Sequence, residues 1–502
     1  MERLHPLMFV GTGSDVGKSV IAAGFCRIFL QDGYHPAPFK AQNMSLNSYA
    51  TPEGLEIGRA QAVQAEAAGI PCHTDMNPIL LKPQSDHTSQ VVLNGKPVGN
   101  QSAGSYFRQE GRDELRQAVH EAFDRLASTY NPIVMEGAGS VSEINLRKID
   151  LVNMPMAMYA KADVILVADI DRGGVFASVY GSIMLMTEEE RRRVKGIIIN
   201  KFRGDIKLFK EGVKIIEDLC HVPVLGVVPY YTDIHIEEED SVSLERKSHD
   251  SQRQANSQKP KANIAVVLLR HMSNFTDFDA LEQDPRVHLY YASTPSDIND
   301  ADIVILPGSK STIDDLCHLR RNGMAEAVIK ARRRGATVLG ICGGYQMMGR
   351  EVCDPNHTEG DIERIPALGL LPVTTTIDGE KTTRQVTCRM ERITYRDYDL
   401  KGYEIHQGVT TPLETPSPLL HLNDGTEDGY QVDDHCMGTY VHGILDNAPF
   451  IDFLLQPYAD KVKAMEAFDY HAFKEQQFDK LADHLRQYVD VEQVYQILRD
   501  DV

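Results

Sequence analysis

The chain has no apolar run approaching the about 18 residues that a membrane-spanning helix needs. Its N-terminus, Met1 to Val10, also lacks a basic stretch ahead of a long hydrophobic one. Both absences predict a chain that is neither membrane-spanning nor exported. Basic residues are in short supply: 52 Lys and Arg stand against 72 Asp and Glu, a formal charge of -20. A nucleic-acid or anionic-membrane surface needs clustered excess cations, so neither partner is expected. Cysteine is sparse and irregular, eight in 502 residues with no C-x-x-C. That usage fits reduced thiols in a cytoplasm rather than a disulfide framework. No segment repeats at a solenoid period.

What is present is ample core material, 42% hydrophobic with 25% charged, in a chain long enough for two or three domains. Short apolar runs recur at Leu7–Val10, Ile133–Met135, Val164–Ala168, Gly196–Ile199 and Leu225–Val228, with helix-compatible segments such as Val20–Leu30 and Asp113–Leu126 between them. Nearly continuous apolar strands are expected where helices cover both faces of a parallel sheet, so residues 1–245 read as an α/β domain. Residues 246–262 are polar, rich in Ser, Gln and Lys, and read as a linker. A second α/β series, Ile264–Leu269, Val287–Tyr291, Ile303–Leu306 and Thr337–Ile341, fills 263–445. From 446 to 502 apolar residues fall at helical steps (Phe450, Phe453, Leu454; Leu481, Leu485, Val489), predicting a helical tail packed on the second domain.

The first run leads into GTGSDVGKS, then a helix. Backbone N–H groups of such a loop point at phosphate oxygens, and Gly11, Gly13 and Gly17 allow close approach; Thr12 and Asp15 belong to the same loop. Lys18 offers charge to the β- and γ-phosphates of ATP, and Ser19 a hydroxyl to Mg²⁺. The pattern departs from G-x-x-x-x-G-K-[ST], because Thr12 stands at the first glycine position. Glu136, ending the strand in IVMEGAGS, is placed to hold Mg²⁺, with an ordinary strand-end acid as the alternative. Asn200 ends another strand where an amide can read a nucleotide base; a plain turn is equally consistent. Asp169 and Asp171 sit at a strand end, a favoured ligand position in open α/β sheets.

TVLGICGGYQMMG sets Cys342 between an apolar strand and a helix. This is a nucleophile elbow: a sharp turn exposes the thiol, and the helix N-terminus favours thiolate. The other cysteines read as small buried hydrophobes. A thiolate nucleophile needs a base, and His442 in GTYVHGIL follows a short apolar strand. The oxyanion of the thioester step needs preorganised N–H donors, for which Gly343 and the Gly308 loop are candidates. Gln346 is a candidate for holding a glutamine substrate.

The loop GTGSDVGKS with EGAGS resembles dethiobiotin-synthetase-like P-loop enzymes, which use ATP to activate a carboxylate. PFKAQNMSLNS at 38–48, DRGGVFAS at 171–178 and NKFRGD at 200–205 extend the resemblance to the cobyric acid synthase family. GICGGYQ, GYEIHQG at 402–408 and YVHG resemble the class I, triad-type glutamine amidotransferase domain of that family. The resemblance covers about residues 7 to 445. It implies a P-loop NTPase-like domain followed by a flavodoxin-like amidotransferase domain, both doubly wound parallel-sheet folds. It also implies amidation of the b, d, e and g carboxylates of adenosylcobyrinic a,c-diamide, with one ATP and one glutamine per amide. One position departs from the wider amidotransferase pattern: Ile444 stands where a Glu usually orients the histidine. A Cys342–His442 dyad is therefore expected, His442 being held by a backbone carbonyl or neutral side chain, with Glu404 as the alternative third member. The nearest rival is the related a,c-diamide synthase, disfavoured by the AQNMSLNS run. A partition-type ATPase switch is the rival from another class, and has no use for Cys342.

Overall fold

The computed structural model describes residues 2–85, 88–102, 112–237, 261–391, 399–462 and 468–499, which divide into two units. Most of the expected linker, 246–262, lies outside the described residues.

The first unit, residues 1–45, 56–237 and 472–502, is built on a six-stranded sheet. Its order is Val224–Pro229, Val194–Phe202, Asp163–Asp169, Leu7–Gly11, Ile133–Glu136 and Ala37–Phe39, and every pairing is parallel. Each apolar run read from the sequence falls inside one of these strands. Leu7–Val10 and Val164–Ala168 are fully buried, as strands covered on both faces must be. The chain crosses back over the central strand Leu7–Gly11, so the loops at the carboxyl ends on either side of it open a crevice of the kind that receives ligands. A smaller four-stranded sheet, Gln42–Met44, Ile79–Ser85, Thr88–Leu93 and Lys96–Ser102, flanks that end.

The second unit, residues 46–55 and 238–471, has a six-stranded sheet of order Val287–Ala292, Ala262–Val267, Ile303–Leu306, Thr337–Ile341, Cys436–Thr439 and Tyr430–Asp433. All its pairings are parallel except the last. A second sheet centres on the antiparallel pair Val373–Arg389 and Leu400–Pro412, and short Val441–His442 pairs with its inner strand. Among the described residues, no helix is long and apolar enough to cross a membrane.

Two features differ from the sequence reading. Residues 46–55 lie with the second unit: Asn47 Oδ1 accepts the Phe275 N–H at 3.0 Å, and the Ser48 N–H donates to Asn274 Oδ1 at 3.1 Å. The tail is helical, at Ala448–Leu455, Tyr470–Tyr488 and Val491–Arg499, but residues from 472 onward pack in the first unit, not the second. There Leu481 and Leu485 lie against Gly24 of helix Lys18–Gln31, Arg27 pairs with Glu475 (2.8 Å) and Asp479 (2.7 Å), and the Asp490 N–H donates to Leu225 O. The apolar stripe lies on the helix, and its partner surface is helix Lys18–Gln31 of the first unit.

Candidate functional site

The phosphate loop follows strand Leu7–Gly11 and turns into helix Lys18–Gln31. Its tightness has a local cause. Gly17 sits at φ 97, and a Cβ there would collide with the Asn200 amide. Lys18 lies buried across the loop, its Nζ donating to Gly13 O and Gly139 O, each at 3.0 Å. The Thr12 N–H donates to Val167 O, and Ser140 Oγ donates to Thr12 O, both at 3.0 Å, tying the loop to its neighbours. Asp15, at φ 62, gives its carbonyl to Lys201 Nζ, and its carboxylate lies 3.2 Å from Arg172. Asp169 and Asp171 are engaged by cations, Lys201 at 3.2 Å and Arg203 at 2.7 Å respectively.

Glu136 sits beneath this loop, almost wholly buried. Ser19 Oγ donates to its Oε1 (2.7 Å), Lys40 Nζ to Oε1 (3.0 Å) and Gln64 Nε2 to Oε2 (2.8 Å). Burial opposes ionisation, but Lys40, Gln64, Ser19 and Lys18 together outweigh it and hold the carboxyl below its usual range. An ionised oxygen beside the Ser19 hydroxyl is a donor set that suits a hard divalent cation. No motif in the sequence ties Lys40 or Gln64 to Glu136; only the fold brings them there.

In the second unit Cys342 occupies the turn between strand Thr337–Ile341 and helix Gly343–Met348, at φ 53 and ψ -111. This sparsely populated backbone geometry is the strained elbow the motif predicts. Its N–H donates to Thr439 O at 2.8 Å, fixing the turn to the strand that leads to His442. A Cβ on Gly343 would stand 2.8 Å from the Ser309 N, and one on Gly308 3.2 Å from His442 Cε1. The two glycine segments therefore run close to the thiol and the imidazole. Gln346 is already engaged: Thr312 Oγ1 donates to its Oε1 (2.9 Å), and its Nε2 donates to Gln407 O (2.9 Å) and Tyr440 OH (3.3 Å). Both Nε2 hydrogens are thus committed to the pocket wall, and Oε1 keeps one further lone pair.

His442 is where the structure corrects the sequence. It is neither unsupported nor held by a neutral group: its Nδ1 meets Asp277 Oδ2 at 2.7 Å, and the other carboxylate oxygen accepts the Gly443 N–H at 3.0 Å. Both residues are buried. Burial works against a charge on the imidazole, but Asp277 and Cys342, each charge-coupled and hydrogen-bonded to it, lift its pKa to about 10. Tyr403 stacks on the ring, with centroids 5.4 Å apart. Glu404 is not the third member. It pairs with Arg384, which also binds Asp424 at 2.6 Å. Nothing local marks Asp277, because it reaches His442 from 165 positions away, on the short turn Phe275–Phe278.

This geometry makes a sharp prediction. Asp277→Asn should lower glutamine-dependent turnover by roughly a hundredfold or more, because the imidazolium loses its charge partner and the neutral ring left after proton transfer loses its fixed tautomer. Glu404→Gln should cost less than about tenfold. The pH sign follows from the raised value: wild-type His442 keeps its proton up to about 10, so its ring resonances should not titrate near neutrality. In Asp277→Asn they should begin to do so, as histidine NMR would record.

Comparison with known proteins finds both domains. Residues 7–244 match the CobQ/CobB/MinD/ParA nucleotide binding domain, and residues 263–450 the CobB/CobQ-like glutamine amidotransferase domain. The cobyric acid synthase of Bacteroides fragilis is 70% identical over 503 residues, covering 100% of this chain and 99% of that one. The cobyric acid synthase of Parabacteroides distasonis is 56% identical over 502 residues, covering 99% and 100%. That of Citrobacter koseri is 47% identical over 506 residues, covering 98% of each. With likeness of this order along the whole length, the chain belongs to the cobyric acid synthase family, the ATP-dependent glutamine amidotransferases of cobalamin biosynthesis.

Proposed function

We propose that the chain amidates the b, d, e and g carboxylates of adenosylcobyrinic a,c-diamide, each with ammonia drawn from glutamine. The observation that carries this reading is a thiol–imidazole–carboxylate set, Cys342, His442 and Asp277, on the same chain as an ATP-type phosphate loop. In the second unit the Cys342 thiolate attacks the glutamine carboxamide. Gly308 and Gly343 backbone donors receive the oxyanion, and His442 gives a proton to the departing ammonia. Water then hydrolyses the thioester, releasing glutamate.

In the first unit the acceptor carboxylate attacks the γ-phosphate of ATP, giving an acyl phosphate and ADP. Ammonia displaces phosphate to leave the amide. Lys18, with the loop amides of residues 13–19, holds the phosphates, and Lys40 keeps Glu136 ionised beside them. Ser19 and Glu136 would hold Mg²⁺, which supplies charge neutralisation at the transferred phosphoryl group. We place the reaction in the cytoplasm, where a functional thiol stays reduced.

Asn200 carries the base preference. Its Nδ2 donates to Val16 O at 2.8 Å, which fixes the amide orientation and leaves Oδ1 as an acceptor. An acceptor there suits the exocyclic amine of adenine and opposes the carbonyl of guanine. ATP should therefore be used at least about tenfold better than GTP, by kcat/KM. Equal use of the two would remove Asn200 from base recognition. The overall reading is tested by release of glutamate from glutamine: absence of glutaminase activity in the wild-type protein would sink it.

A further inference from the structure

Asp277 stands on a single 3₁₀ turn, Phe275–Phe278, an element with weak internal hydrogen bonding. Its place has to be fixed from outside the turn. The Asp277 N–H donates to Asn274 O at 3.0 Å, so whatever holds Asn274 also holds the carboxylate that meets His442. Asn274 lies in the left-handed region at φ 52, and its side chain, at the usual capping position, caps nothing within the turn. It reaches outward instead. Its Oδ1 accepts the Ser48 N–H at 3.1 Å, and its Nδ2 donates to Tyr403 OH at 3.3 Å. The cap comes from a residue far away in sequence: Asn47 Oδ1 accepts the Phe275 N–H at 3.0 Å.

Two paths therefore run from adjacent residues to the two sides of one imidazole. From Ser48 the first passes through Asn274 to Tyr403, whose ring stacks on His442 with centroids 5.4 Å apart. From Asn47 the second passes through Phe275 to Asp277, which meets His442 Nδ1 at 2.7 Å. Tyr49 sets its own ring against Tyr403, centroids 4.5 Å apart, and Ala50 packs with Tyr403 and Ile405. Asn47, Asn274 and Asp277 are each at most 3% exposed, so water does not compete for their hydrogen bonds.

We propose that Asn47 and Asn274 are positioning residues of the glutamine-hydrolysing site, setting the Asp277 turn and Tyr403 against His442. Residue 47 does this although it falls, in sequence, within the nucleotide-binding match at 7–244. The inference rests on the assignment of Cys342, His442 and Asp277 above. A misplacement of about 1 Å behind a reacting group can cost about a hundredfold in rate, so amides one residue removed from the chemistry can govern turnover.

The test measures glutamate release by full-length Asn47→Ala and Asn274→Gly, glycine keeping the left-handed backbone at 274. Each should lower kcat at least about tenfold, with the KM for glutamine held within about threefold and ammonia-dependent synthesis within about twofold. Asn47→Ala is then made in an Asp277→Ala background. There it should cost less than about twofold further, because the group it positions is already gone. A wild-type kcat in either single variant would overturn the proposal. So would an equal fold-loss from Asn47→Ala in the two backgrounds, which marks a merely structural role, or an equal loss of ammonia-dependent synthesis. Full glutamine turnover in Asp277→Ala alone would instead overturn the catalytic set on which the inference rests.

Discussion

Replacing Cys342 with serine should lower glutamine-dependent synthesis by at least about a thousandfold, while synthesis from free ammonia continues. The reason lies in the elbow. At φ 53 and ψ -111 the residue holds its side chain toward His442, and a serine there adopts the same place with a far weaker nucleophile. His442, held protonated by Asp277, is matched to a thiolate and cannot also act as the strong base that a serine hydroxyl would require. The phosphate-loop residues belong to a different unit, so ammonia supplied from solution still meets an activated carboxylate. Measured side by side, the two nitrogen donors should diverge in the variant. If ammonia-dependent synthesis disappears as well, the two chemistries are not separable in the way the two units imply.

Lys18→Ala should have the complementary outcome. Synthesis with either nitrogen donor should fall by roughly a thousandfold or more, because charge at the transferring phosphoryl group is needed most in the transition state. Lys18 is tied both to Gly13 O and to the Gly139 turn, so it also links the two loops that wall the phosphates. Glutamate release from glutamine should survive, since Cys342, His442 and Asp277 lie together in the other unit. Near-normal synthesis from ammonia would refute the phosphate-loop assignment.

The sequence displayed some of this plainly and concealed the rest for physical reasons. Strands buried on both faces announce themselves as apolar runs, and all the runs read in the first half, from Leu7–Val10 to Leu225–Val228, lie in one parallel sheet. Cys342 and His442 were legible because each sits at the end of such a strand, and the neighbouring strands Thr337–Ile341 and Cys436–Thr439 bring those ends together. Asp277 was not. Its turn carries no periodic signal, and the usual orienting position is filled by buried Ile444, which pointed to a dyad that the fold does not contain. Residues 46–55 were hidden for a similar reason: ten residues held by side-chain amides such as Asn47 and Asn274 leave no compositional break at which to see a change of unit. The tail's apolar stripe named a buried face without naming what buries it.

The most direct test of two linked chemistries on one chain is mass spectrometry of adenosylcobyrinic a,c-diamide incubated with the enzyme, MgATP and amide-¹⁵N glutamine. The account predicts stepwise conversion of the b, d, e and g carboxylates to amides, each new amide carrying the heavy nitrogen, with one ATP and one glutamine consumed per step. A corrinoid whose mass stays unchanged while glutamine and ATP are consumed would contradict it.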